Sequence, residues 1–202
     1  EFKLLKTPDR EPRAIPSDVF EKILAAVSKL DDRIAKQKSK WNGQGGADCS
    51  PDKKPCADWW VAFLSVAYLA GLRWEEILNL KWSHLRFTAK PEIGVWNQKA
   101  GRYETVPMSS TLFARLKAWM GLCANVADNA VVFAHACHVR SVNQEWKQLQ
   151  ALAKIADAYR FHDLRVSFCT NLVAAGVQAP VLMKLARHRS IATTMQFYRG
   201  KT

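Results

Sequence analysis

The C-terminal end of the chain collects side chains suited to holding phosphate. Residues 160–202 carry seven basic residues, Arg160, Arg165, Lys184, Arg187, Arg189, Arg199 and Lys201, against one acid, Asp163. The local net charge is therefore +6, half of the +12 carried by the whole chain. His162, His188 and the phenol of Tyr198 lie in the same stretch. Guanidinium forks donate paired hydrogen bonds to phosphate oxygens, and imidazoles exchange protons near neutral pH. An unbalanced cluster of this kind favours phosphate binding over a merely solvated basic face. Four segments concentrate the candidates: GLRWEEILNLKWSHL (Gly71 to Leu85), NQKAGRYETVPM (Asn97 to Met108), FHDLRVSFCTNLVAAG (Phe161 to Gly176) and LARHRSIATTMQFY (Leu185 to Tyr198). Singly each has an ordinary explanation. Arg73 and Glu76 read as an i,i+3 ion pair, Lys99 as a solvated lysine beside a hairpin turn, and His162 with Arg165 as a helix cap and a surface charge.

The elements that must position these groups are legible from periodicity. The chain has 202 residues, 49% hydrophobic and 24% charged, which is ordinary for a globular protein with one sizeable core. Residues 1–16 are polar with prolines at 8, 12 and 16 and read as a linker. Ser17 is placed to cap a first helix, Asp18 to about Ala35, whose apolar residues recur at helical spacing. A buried helix is predicted from about Ala57 to Ala70, broken at Gly71, with a shorter helix through Glu75 to Leu80. Strand-like runs follow at Leu85–Thr88, Ile93–Gln98 and Tyr103–Pro107, with Ala100-Gly101 as a hairpin turn. The remainder reads as helices at Ser110–Met120, Val142–Ala156, His162–Ala175, Pro180–Arg187 and Ile191–Arg199, interrupted by a short Val131–Ala134 run. The fold class is mainly α with one small antiparallel β-sheet (α+β).

Taken together and in this order, GLRWEEILNLKW, HDLR and the following H-R-S-I-A-T-T closely resemble the tyrosine recombinase (phage integrase) family, from about Ser17 to Tyr198. The resemblance implies the catalytic-domain fold of that family and DNA strand cleavage and rejoining in site-specific recombination or integration. In that chemistry a tyrosine attacks a DNA phosphate, forms a 3′-phosphotyrosine and releases a 5′-hydroxyl. No metal and no cofactor is expected. Residue by residue, the first catalytic arginine falls on Arg73, the hairpin lysine on Lys99, the His-x-x-Arg pair on His162 and Arg165, and the third basic position on His188. Glu76 matches a family acid that braces the site. DNA contacts are expected from Arg73, Lys99, Arg165, Arg187, Arg189 and Arg199. These roles agree with elementary chemistry: two guanidiniums stabilise the equatorial oxygens of a phosphoryl group in transfer, and a lysine can protonate a leaving alkoxide. Which of His162 and Lys99 handles which proton stays open.

The pattern breaks at the nucleophile. The family places its tyrosine nine residues after the third basic position, which here is Phe197, with Tyr198 one residue late. One helical step is about 100° of rotation, so Tyr198 is expected to point away from a phosphate held by the two arginines. The chain is expected to be a nucleophile-dead form, by a deliberate Tyr→Phe change at 197. The alternatives are that Tyr198 is the nucleophile on a shifted final helix, or that the chain is a naturally inactive relative. A second departure is Arg187, which stands where the family often has glycine before the third basic position.

Residues 1–16 are expected to be the remnant of an interdomain linker and 17–202 the catalytic domain, with the family's N-terminal core-binding domain absent. A chain lacking that half of the clamp is expected to bind DNA weakly and with steep salt dependence. The expected partner is double-stranded DNA, with assembly as a homo-oligomer, dimer to tetramer, on it. The longest apolar run, Trp59 to Leu72, is 14 residues and too short to span a bilayer. No signal peptide is apparent, and the odd count of five cysteines reads as reduced thiols. A cytoplasmic location and a bacterial or phage origin are expected. His135, Cys137 and His138, with Cys49 and Cys56, lack the C-x-x-C spacing of a zinc site. Two other functions remain open: a non-catalytic DNA-binding module of the same fold, and a type IB topoisomerase or resolvase-like enzyme.

Overall fold

The computed structural model describes residues 13–30, 56–97, 101–123, 126–133 and 139–199. In chain order the elements are α1 (Ser17–Ala25), α2 (Ala57–Leu69), α3 (Trp74–Leu78), a 3-10 turn (Trp82–His84), β1 (Leu85–Arg86), β2 (Glu92–Asn97), β3 (Arg102–Pro107), α4 (Ser110–Leu122), α5 (Val139–Leu152), α6 (His162–Ala174), α7 (Ala179–Ala186) and α8 (Ile191–Met195). The architecture is mainly α with one small antiparallel sheet.

Helix α2 is the centre of the molecule. Nine of its 13 residues are buried, so it is apolar on nearly every side, the pattern of a helix wrapped by others. It packs against α4 and α6. A run of edge-on aromatic rings extends from it towards the site. Phe63 meets Trp74 at 5.5 Å between centroids, and Trp74 meets Phe161 at 4.6 Å. Edge-to-face pairs of this kind add to the burial of the rings. Trp74 opens α3 and Phe161 immediately precedes α6, so these rings fix the starts of the two helices that adjoin Arg73 and His162.

The sheet has the order β1-β2-β3, antiparallel throughout, with Trp96 opposite Tyr103 and Asn97 opposite Arg102. Ile93, Val95 and Val106 are buried on its core side, while Trp96 and Tyr103 are exposed. Gly101 closes the β2–β3 turn with φ of +62°, and its N–H donates to Asn97 O at 2.9 Å. Glycine adopts that conformation without the steric cost of a Cβ. Lys99 and Ala100 lie outside the described residues.

Several boundaries differ from the sequence reading. Ser17 is the first residue of α1 and not its cap; Pro16 takes that place, with no side-chain capping bond. A proline carbonyl still accepts from Phe20 N–H at 2.9 Å, so the first turn closes without a hydroxyl. Helix α1 ends at Ala25; Ala26 is a turn and residues 27–30 are helical again. The strand expected at Leu85–Thr88 is two residues long, because only Leu85 and Arg86 find partners on β2. The Val131–Ala134 run contributes one isolated bridge, Lys81 to Val131. Helix α8 stops at Met195 and not Arg199. Beyond it the chain tightens into i→i+3 bonds, Phe197 N–H to Thr194 O and Tyr198 N–H to Met195 O, each 3.1 Å.

The end of the predicted linker is part of the packed body. Ile15 is 1% exposed. Its N–H donates to Ser167 Oγ at 2.7 Å, and its carbonyl accepts from Tyr68 Oη at 3.2 Å. The Arg13 guanidinium lies over the Tyr159 ring, 4.1 Å from its centroid. No helix among the described residues is long and apolar enough to cross a membrane.

Candidate active site

Three local devices bring distant residues to one place. The first is Gly71, which leaves α2 with φ of +61°. A Cβ there would sit 2.3 Å from Phe168 Cδ1, so only glycine lets the chain turn this close to α6. Two residues later Arg73 caps α3. The second device is the start of α6. Asp163 folds back on it, accepting from Arg160 N–H at 2.8 Å and from the Arg160 guanidinium at 3.2 Å. That carboxylate satisfies an otherwise orphaned amide at the helix end and fixes the turn containing His162 and Arg165. The third is the end of α7. Arg187 adopts left-handed φ 54° and ψ 43°. Its N–H bonds to Lys184 O at 3.1 Å and that of His188 to Met183 O at 3.0 Å. The paired closure is a Schellman-type helix end, a position usually given to glycine.

The result is a cavity of about 230 Å³ lined by Arg73, His162 and Arg165 together with Trp74, Asn143 and Phe161. Arg165 is 4% exposed and donates to the carbonyls of Gly71 and Ala186. Arg73 donates from Nη1 to Glu76 Oε1 at 2.7 Å and from Nη2 to the Arg187 carbonyl at 3.0 Å, while its backbone N–H bonds Glu76 Oε2 at 2.7 Å. His188 pairs Nδ1 with Thr194 Oγ1 at 3.0 Å and lies against the Phe197 ring. The Tyr198 hydroxyl instead donates to the Val177 carbonyl.

The electrostatics reflect several basic groups gathered in a partly buried site. Burial, and then the charges of Arg73 and Arg187, push the Arg165 guanidinium down to about 9. Burial pushes His188 down to about 4, with Arg165, Arg73 and Arg187 adding to it. Burial and then Arg165 also lower His162. Both shifts favour the neutral imidazole, which can accept a proton or donate an N–H bond. Burial alone would raise Glu76, but the Arg187 charge, the Arg73 N–H and the Arg187 hydrogen bond outweigh it and hold the carboxyl below its usual value. The Tyr198 phenol is held above its ordinary value, by burial first and Cys169 second.

Of the residues singled out in the sequence, Arg73, His162 and Arg165 share the cavity, and Glu76 clasps Arg73. His188 sits beside Phe197 within electrostatic reach of the arginines. Arg189 and Arg199 are exposed. Arg187 is a correction. Its side chain is 2% exposed and turned onto Glu76 Oε2 at 2.9 Å, so it does not present its charge to a DNA surface. Lys99 lies outside the described residues, as do Cys49, His135, Cys137 and His138. Three partners were missed in the sequence. Thr194 orients His188, the Gly71 carbonyl receives Arg165, and Asn143 lines the cavity. The Thr193-Thr194 pair was a signal that went no further than marking the nucleophile's neighbourhood; a backbone carbonyl leaves no signal at all.

Two arginines, Arg73 and Arg165, and one histidine, His162, thus line a single cavity in a mainly helical domain, with His188 against Phe197 on the terminal turn. The profile of the phage integrase family matches residues 49–202, and the chain belongs to that family. It is 23% identical over 202 residues to tyrosine recombinase XerA of Pyrococcus horikoshii, covering 98% of this chain and 60% of that protein. The fold is similar to the crystal structure of XerA recombinase, with a TM-score of 0.68 and 19% identity over 95% of this chain and 62% of that one. It is also similar to the catalytic domain of bacteriophage HP1 integrase, with a TM-score of 0.60 and 18% identity over 93% of this chain and 88% of that one. The chain spans about half the length of the curated relatives it matches, from 45% to 60%.

Proposed function

We propose that the chain is the catalytic domain of a tyrosine recombinase that binds double-stranded DNA and grips one backbone phosphate for site-specific strand exchange, assembling on its DNA as a dimer to tetramer. The observation that carries this reading is the cavity shared by Arg73 and the His162–Arg165 pair, which lie far apart along the sequence. In the active reaction a tyrosine oxygen at position 197 forms a bond to phosphorus as the bond from phosphorus to the 5′-oxygen breaks. The phenol proton passes to a base at the site, and the departing 5′-oxygen takes a proton from an acid there; His162 and Lys99 are the candidates for these two transfers. Attack by a 5′-hydroxyl on the phosphotyrosine then reverses the step and frees the phenol. Arg73 and Arg165 stabilise the charge on the non-bridging oxygens, a contribution typically worth about 3 kcal/mol of barrier per donor in a dry site. His188 supplies a further N–H.

The present chain carries phenylalanine at position 197 and so cannot take the covalent step there. Two observations support position 197 over 198 as the nucleophile's place. Phe197 lies against His188, and the Tyr198 hydroxyl is already engaged by Val177. The test is a nicked suicide duplex. Phe197→Tyr is expected to trap a covalent protein–DNA adduct that survives a further Tyr198→Phe change. Adduct formed by the parent chain and abolished by Tyr198→Phe would place the nucleophile at 198. The presence of Phe197 also favours a second reading, a DNA-binding module without catalysis; an inert Phe197→Tyr chain that still binds duplex DNA would support it. Plasmid relaxation without two-substrate exchange by the restored chain would point instead to topoisomerase-like chemistry.

A further inference from the structure

The most unusual group in the site is Arg187. A non-glycine residue in left-handed conformation ends α7, and its side chain then runs inward and not towards solvent. Nη2 donates to Glu76 Oε2 at 2.9 Å and to the Gly71 carbonyl at 3.1 Å, and Nη1 donates to the Leu185 carbonyl at 2.9 Å. Nε is buried with no partner. Two of these three acceptors are shared with an arginine of the cavity. Glu76 also holds Arg73, and the Gly71 carbonyl also receives Arg165. The Arg187 carbonyl itself accepts from Arg73 Nη2. Residue 187 therefore touches the Arg73 guanidinium directly through its backbone and indirectly through Glu76, and it reaches Arg165 through Gly71.

We propose that Arg187 is a positioning residue for phosphate capture: its buried guanidinium fixes Glu76 and the Gly71 carbonyl, and through them sets the aim of Arg73 and Arg165. This rests on the phosphate-gripping reading of the cavity. A second cation behind Glu76 also means that one carboxylate is divided between two guanidiniums, so Arg73 is oriented without being neutralised. Three guanidiniums against a single carboxylate leave the pocket with excess positive charge, which an incoming phosphate relieves. Strict burial of the Arg187 side chain excludes a direct contact with DNA, so its effect must pass through the other two arginines.

The test separates aim from affinity. On a Phe197→Tyr background, adduct formation with the nicked duplex is measured for Arg187→Gly and Arg187→Lys, and duplex affinity is measured for the same changes in the Phe197 chain. Glycine suits the left-handed backbone while removing the guanidinium. Misplaced arginines are expected to slow adduct formation by roughly 10- to 100-fold in Arg187→Gly. Because no phosphate contact is lost, duplex affinity is expected to stay within about threefold. Arg187→Lys keeps a cation beside Glu76 but not the fork, and is expected to recover part of the rate. An unchanged rate, or rate and affinity falling together, overturns the proposal. Should Arg187→Gly fail to fold, Arg187→Lys decides in the same way, with a reduced rate at constant affinity as the supporting result. If Phe197→Tyr forms no adduct, the cleavage reading fails separately. Binding of inorganic phosphate to the Phe197 chain then decides: weaker binding in Arg187→Lys, which keeps the charge but not the fork, keeps the positioning role, and equal binding, or none by the parent, ends it.

Discussion

The Phe197 ring lies nearly parallel to the His188 imidazole, 5.9 Å between centroids with 12° between planes. The His188 Nδ1 pairs with the hydroxyl of Thr194, three residues before the phenylalanine. The imidazole and the aromatic ring are thus a matched pair set by the short helix α8 and the 3-10 turn that follows it. Adding one oxygen to the ring is a small change in volume; removing the ring is not.

Phe197→Tyr is accordingly expected to change unfolding free energy by less than about 1 kcal/mol, as volume-conserving swaps do. Phe197→Ala is expected to cost about 1–3 kcal/mol, below the range for a fully buried phenylalanine because the ring is only partly covered. Urea unfolding of the three chains measures both.

Salt dependence distinguishes surface cations from buried ones. Each neutralised phosphate contributes roughly 0.9 to the slope of log affinity against log salt. Arg189→Ala and Arg199→Ala, at exposed positions, are each expected to shallow the slope by about 1 if they meet phosphate. Arg187→Ala is expected to leave it unchanged. Titrations at several salt concentrations read this directly, and a shallower slope in Arg187→Ala would contradict its inward placement.

Glu76→Gln removes the carboxylate shared by Arg73 and Arg187. The Glu76 side chain is 16% exposed and that of Arg187 2%. Stranding a nearly buried guanidinium is expected to destabilise the chain by about 2–4 kcal/mol. Chemical denaturation gives the value; a loss of a few tenths would mean that the pair is no more than a surface ion pair.

Acid is expected to weaken the fold in two stages. His188 titrates near 4 in the folded chain against an ordinary 6.5, so the unfolded chain binds its proton more readily. Its contribution is complete above about pH 6.5 and is lost as pH falls towards 4. His162, also lowered, acts with the same sign. Glu76 is held below its ordinary 4.5, so its contribution is present above that value and is lost as pH falls through the lowered one. Thermal midpoints across this range should fall on acidification, and His188→Asn should flatten the upper stage while leaving the lower. A midpoint constant from pH 6.5 to 4 would contradict the assignment.

Much of the site could be read from residue types because its chemistry demands them. Arg73, His162 and Arg165 sit in short signatures whose flanks fold locally: Gly71 before the first, Asp163 within the second. The hairpin was legible for the same reason, since alternation and Gly101 are local signals. What escaped depends on distant partners. Arg187 looks like a surface cation until Glu76, 111 residues away, claims it. Past the end of α8 at Met195, Phe197 and Tyr198 pack against the small cluster of Phe168, Cys169, Val173, Leu182 and Ala186, which no periodicity in residues 191–199 records. The docking of Ile15 hides in a polar, proline-rich stretch, because its two hydrogen bonds come from the backbone.

Gly71→Ala is expected to be among the most damaging small substitutions in the chain. The added methyl meets Phe168 at 2.3 Å, and the backbone there is left-handed. Backbone strain alone is worth about 1–2 kcal/mol. Phe168→Leu in the same chain should relieve the collision but not the strain, so denaturation of the double variant is expected to recover part of the loss.

The anchoring of Ile15 ties the entering polypeptide to the machinery. Ser167, which takes the Ile15 amide, lies on α6 two residues beyond Arg165 and five beyond His162. Tyr68, which grips the Ile15 carbonyl, lies on α2 three residues before Gly71. The same short strap is therefore bolted at one end to the helix bearing His162 and Arg165 and at the other to the helix whose last turn leads into Arg73, so that loosening residue 15 would free both flanks of the cavity at once.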